Sequence, residues 1–81
     1  MKIRVRFGIE GHTDSDDLTG ERVMDYPPRV GDHIYKHGVG LEVEQVVWTF
    51  DVDSKCDVIV LLHAPDLDDA RKFFQSGDDY V

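Results

Sequence analysis

Five consecutive apolar residues, Val58-Ile59-Val60-Leu61-Leu62, constrain this chain more than any other stretch of it. The run is rich in β-branched side chains and has no polar face, so it reads as a central strand, about residues 56–63, covered on both faces. Such a strand needs neighbours on either side and a layer packed against it. A chain of 81 residues has room for one domain, here 1–81, and must find all of these within it.

The cover is expected from a helix over about 66–75. Pro65-Asp66 opens it, Asp66, Asp68 and Asp69 crowd its first turn, and Arg71 and Lys72 lie towards its end, which complements the helix dipole. Leu67, Ala70, Phe73 and Phe74 form its apolar stripe, and Gly77 is placed to end it ahead of a frayed tail, 78–81. A helix this short is marginal alone, so packing must hold it.

The neighbours are strands. Ile3, Val5, Phe7 and Ile9 alternate with Lys2, Arg4, Arg6 and Gly8, the period of a half-buried strand over about 2–10. Its outward cations would suit Glu42 and Glu44 on an adjacent strand. The polar run Gly11-His12-Thr13-Asp14-Ser15-Asp16-Asp17 reads as an exposed loop. A short strand over about 21–26, with Val23, Met24 and Tyr26, stops at Pro27-Pro28, because proline cannot donate to a ladder. Strands over about 32–37 and 41–51 make a hairpin turned by Gly38-Val39-Gly40. In the second of these the apolar phase slips by one residue near Gln45. A β-bulge does this, and so does a bend that buries both faces from Val46 to Phe50. The fold class expected is mostly β: a small antiparallel β-barrel or rolled sheet of four or five strands with a short C-terminal helix. Trp48, Phe50, Tyr26 and Tyr35 are assigned to its core ahead of a binding surface, and an exposed one among them would mark an interface.

Within the hairpin, Pro28-Arg29-Val30-Gly31-Asp32-His33-Ile34, followed by a glycine-bearing turn and by Val43, Val46 and Val47, resembles the central hairpin of SH3-like small β-barrels. It looks in particular like the barrels common among phage-encoded accessory proteins. The resemblance covers roughly residues 28–50 and implies a small barrel from a phage or mobile element; it carries no catalytic or binding residue with it.

Seventeen acids against nine bases give a net charge of −8. Such a chain is repelled by phosphate backbones and anionic membranes, which disfavours direct nucleic-acid or membrane binding and favours basic protein partners. Apolar content of 41% is enough for a core. The single cysteine, Cys56, cannot form an internal disulfide, the N-terminus alternates like a strand rather than a signal peptide, and no window has the apolar length of a membrane span. The expected address is the cytoplasm of a bacterium or an infected host cell.

No constellation points to catalysis, a metal or a cofactor. From Asp14 the loop places Leu18 and Thr19 where an EF-hand needs an oxygen ligand and a glycine; Asp51-Val52-Asp53 fails likewise at Lys55 and Cys56. His33 and His37 on one strand would stand roughly 13 Å apart, too far to share an ion. His12 and His63 find no partner in the pattern, and Cys56 and His63 alternate to opposite faces. Asp57 and Asp53 would raise the Cys56 thiol pKa rather than activate it. There is no phosphate loop.

Surface recognition is what remains, through three groups of carboxylates: Asp14, Asp16, Asp17 and Glu21; Asp51, Asp53 and Asp57; and Asp66, Asp68 and Asp69. Brought to one end of the molecule they would imitate spaced phosphates. The expectation is a non-enzymatic inhibitor of a host protein, such as a nucleic-acid-binding complex, of the anti-restriction or anti-CRISPR type, acting as a monomer or small homo-oligomer. A structural protein assembling as an oligomer, and a small-molecule or metal-binding module, are the alternatives.

Overall fold

The structure, a computed structural model, describes residues 2–50 and 55–74. The elements run β1 (Ile3–Ile9), a one-turn 3-10 helix (Asp16–Leu18), β2 (Thr19–Met24), β3 (His33–Lys36), β4 (Val39–Trp48), β5 (Val58–His63) and α1 (Leu67–Phe73). The strands form one sheet in the order β2-β1-β5-β4-β3, curled into a half-barrel, with the single helix at the C-terminal side of the chain. β5 is central, as its apolar run requires. The sheet is open, with β2 and β3 at its edges.

Three pairings are antiparallel, but β1 and β5 run parallel, Val5 opposite Val58 and Ile9 opposite Leu62. The sheet is thus mostly antiparallel, as expected, with one parallel seam that the strand pattern does not announce. A parallel neighbour needs a long crossover, and here β2, β3 and β4 together supply it. Alternation in β1 fixes which side chains point inward and carries no information on strand direction.

One face of the sheet is the core. Ile3, Val5, Phe7 and Ile9 of β1, Leu41 and Val43 of β4, and Val58, Val60 and Leu62 of β5 are buried there beneath Ala70, Phe73 and Phe74 of the helical segment. Each of the fully buried ones gains roughly 1.5–3 kcal/mol by leaving water. Leu18, next to the run read as polar loop, is buried as well, because the 3-10 turn packs against α1. Among the described residues no layer covers the opposite face, and Ile59 and Leu61 are only half-buried. The two-sided cover expected for β5 is thus corrected to one side.

The hairpin turns at His37-Gly38, with φ of 55° and 79°, while Lys36 pairs with Val39. Positive φ at both positions is the two-residue type I′ geometry that matches strand twist. Gly40, assigned to the turn, is instead a strand residue opposite Tyr35, and a Cβ there would collide with the Tyr35 ring. At Gly31 (φ 94°) the chain turns tightly, with the Asp32 amide donating to the Arg29 carbonyl at 3.0 Å and the Arg29 amide donating to Asp32 Oδ2 at 2.8 Å. Ile34 then packs on the core as expected.

The phase slip in β4 is a bulge: the register against β5 shifts between Val43 and Gln45. Beyond it both faces are not buried. Trp48 is 49% exposed and Phe50 90%, and Tyr26 and Tyr35 are exposed too, so the assignment of all four aromatics to the core is overturned. They sit at strand ends and on an edge of an open sheet, where no opposing layer reaches them. β2 begins two residues before the expected start and leaves Tyr26 outside it. In α1, Asp66 is the N-cap, accepting from the Asp68 amide at 2.9 Å, and Arg71 Nη1 donates to Asp68 Oδ1 at 3.1 Å. Gly77 and the tail lie outside the described residues.

Candidate functional site

The parallel seam decides where the carboxylates go. Because β1 and β5 run the same way, the loop leaving β1 and the segment leaving β5 emerge at the same end of the sheet. The Glu10 amide donates to the Leu62 carbonyl at 3.0 Å, and the 3-10 turn packs against α1. Glu10, Asp14, Asp16, Asp17, Asp66, Asp68 and Asp69 therefore share one end, all of them exposed. His12, His63, Arg71 and Lys72 are the basic side chains nearest in sequence, and Arg71 is engaged by Asp68. Two of the expected groups converge.

The third does not join them. Asp57 stands at the opposite end, before the start of β5, and Asp51 and Asp53 lie outside the described residues. Asp57 acts as a clasp between strands: Oδ2 accepts from the Arg4 amide at 2.8 Å and lies 3.9 Å from Arg4 Nε. Its own amide donates to the Arg4 carbonyl at 2.8 Å, and its carbonyl accepts from the Thr49 amide at 2.9 Å. Asp57→Ala should lower stability by about 1–2 kcal/mol, the worth of a partly exposed charge-assisted bond to a backbone N–H. Urea denaturation would measure this, and Asp57→Asn should recover part of it. Glu21 also leaves its group; it pairs in register with Arg6 on the outer face of the sheet.

The outward cations of β1 find partners other than those expected. Lys2 Nζ is 2.7 Å from Asp25 and Arg4 reaches Asp57, whereas Glu44 lies 3.7 Å from His63 Nδ1. β1 is two strands away from β4, so Glu42 and Glu44 are out of its reach by topology.

A second feature, which the sequence reading missed, lies on the uncovered face. A trough of about 630 Å³ runs over β1, β5 and β4, floored by Gly8, Val47, Ile59 and Leu61 and flanked by Arg6, Glu21 and Lys55. The signal was present in the alternation: β1 offers only Gly8 at the outward position nearest Leu61, and Val47 shares that face once the bulge is counted. Among the described residues no three His, Cys, Asp or Glu side chains are grouped to hold a metal ion. No helix of the described residues is long and apolar enough to cross a membrane.

Compared with known proteins, the chain matches no family model, no curated protein and no solved structure. Its fold and surface define a small, mostly β domain with a curled open sheet, one C-terminal helix and a carboxylate-rich end.

Proposed function

We propose that this chain is a non-enzymatic interaction protein that binds and inhibits a basic host protein, such as a nucleic-acid-binding complex, through its carboxylate-rich end. The observation that supports the reading is the parallel β1–β5 seam, which gathers Asp14, Asp16 and Asp17 with Asp68 and Asp69 at one end of the sheet. Closely spaced carboxylates on a rigid rim can occupy a groove that is positive for phosphate, and their field speeds encounter with it. The resemblance of the 28–50 hairpin to phage-encoded barrels supports an accessory protein of a phage or mobile element, of the anti-restriction or anti-CRISPR type.

The test must separate binding from folding. Asp66 caps α1 and Asp68 holds Arg71, so reversing either disturbs the helix as well as the charge. Asp14, Asp16, Asp17 and Asp69 are exposed, and no side-chain bond ties them to a described residue. A variant with lysine at Asp14, Asp16 and Asp17 and asparagine at Asp69, which keeps a cation out of the first turn of α1, should fold, by circular dichroism, and lose at least roughly a hundredfold in affinity, since several complementary charges become repulsive. Capture of one stoichiometric nucleic-acid-binding protein from nuclease-treated lysate, weakened by salt and abolished in the variant, is the result expected. Unchanged capture by the folded variant would overturn the reading.

The exposed Trp48 and Phe50 favour a second reading, assembly through an apolar patch. Light scattering that finds a defined oligomer, dispersed by Trp48→Ser with Phe50→Ser, would support it over inhibition.

A further inference from the structure

The trough on the open face of the sheet asks for an occupant of definite chemistry. Its floor is aliphatic: Ile59 and Leu61 belong to the most apolar strand of the molecule, yet both are left partly exposed, with Val47 beside them. Glycine at position 8 keeps that floor low, since a Cβ there would already touch Leu61 Cδ2 at 3.7 Å and Thr13 Cγ2 at 4.0 Å. The volume, about 630 Å³, lies within the range of small-molecule sites.

The rim departs from the rest of the protein. In a chain of net charge −8, two cations, Arg6 and Lys55, flank this trough, and Glu21 is the one carboxylate among the described residues that line it. Neither cation forms an ion pair or a side-chain hydrogen bond with a described residue, whereas Lys2, Arg4 and Arg71 all do. An unpaired guanidinium beside a half-covered aliphatic floor complements a ligand with an anionic head and an apolar body. A peptide strand has no such match here, because the trough crosses the middle of the sheet, where the backbone groups of β1, β5 and β4 are already paired.

We propose that this trough binds a single-chain amphiphile with a carboxylate head, its hydrocarbon lying over Val47, Ile59 and Leu61 and its head held by Arg6 and Lys55. Thr13, of the loop that carries Asp14, Asp16 and Asp17, borders the trough, but none of the carboxylates described at that end lines it.

The probe is dodecanoate below its micellar concentration, followed by amide and methyl chemical shifts of the intact chain. A saturable response centred on Gly8, Val47, Ile59 and Leu61 is expected. Arg6→Gln with Lys55→Gln should weaken it at least tenfold without lowering thermal stability, since both side chains are exposed and form no ion pair with a described residue. Gly8→Val should weaken it as well, by filling the floor while leaving the rim charges intact. Dodecyltrimethylammonium, with the same chain and the opposite head, should give no saturable response. The proposal is overturned if the cationic amphiphile binds equally well or if the double variant binds dodecanoate unchanged. A response only to acidic peptides, or none until micelles form, would overturn it too.

Discussion

Leu62→Ala should cost about 3 kcal/mol of unfolding free energy, while Leu61→Ala, one residue away, should cost less than about 1. Leu62 is wholly buried on the helix-facing side of β5; Leu61 lines the open trough and is only partly buried. The first truncation leaves a cavity that close-packed neighbours refill only in part, whereas the second removes atoms that water already reaches. For a domain of this size, with a total stability of roughly 4–12 kcal/mol, Leu62→Ala removes a large share. Its melting temperature should fall by roughly 12–24 °C. Urea denaturation of the two variants in parallel measures the contrast. Equal losses would mean that the outer face of β5 is packed like the inner one, and the trough would have no place in the structure.

The same pair shows how far the sequence could be read. Periodicity in β1, the apolar run of β5, the phase slip in β4 and the acid-then-base order of α1 are local patterns, each made by residues close together in the chain, and each led to the right element. What failed depended on distant partners. A run of five apolar residues reads as covered on both faces, but the described residues supply one α-helix, of seven residues, and it packs on one side. Trp48, Phe50, Tyr26 and Tyr35 are apolar enough for a core, and whether a second layer reaches them is a property of the closed or open sheet. The direction of β1 against β5 is invisible to alternation, and that direction sends the Asp14–Asp17 loop towards the start of α1 and leaves Asp57 at the other end.

Two aspartates show how spacing overstates a surface. Asp57 and Asp66 sit in acidic groups by sequence, yet one clasps the Arg4 backbone and the other caps α1. Their carboxylates satisfy N–H groups within the fold. At the carboxylate-rich end, the described carboxylates left without a side-chain bond are Glu10, Asp14, Asp16, Asp17 and Asp69.

Phe73→Ala should be as damaging as the loss of Leu62, at about 3–5 kcal/mol, and it should act first on the helix. Phe73 is 2% exposed and meets Phe74 edge-on, with ring centroids 5.0 Å apart at 71°. A seven-residue helix does not persist in water by its own propensity, so docking through Ala70, Phe73 and Phe74 is what keeps α1 formed. Asp66→Ala, which removes only the cap, should cost about 1 kcal/mol by comparison. Hydrogen exchange distinguishes local from global effects: in Phe73→Ala the amides of α1 and of the 3-10 turn should lose protection well before those of β1 and β5. Equal loss throughout would instead make the helix part of one cooperative unit with the sheet. Because Asp66, Asp68 and Asp69 ride on that helix, the variant should also weaken any partner held by the carboxylate-rich end, although no carboxylate has been changed. Affinity that survives the undocking of α1 would restrict recognition to Asp14, Asp16 and Asp17.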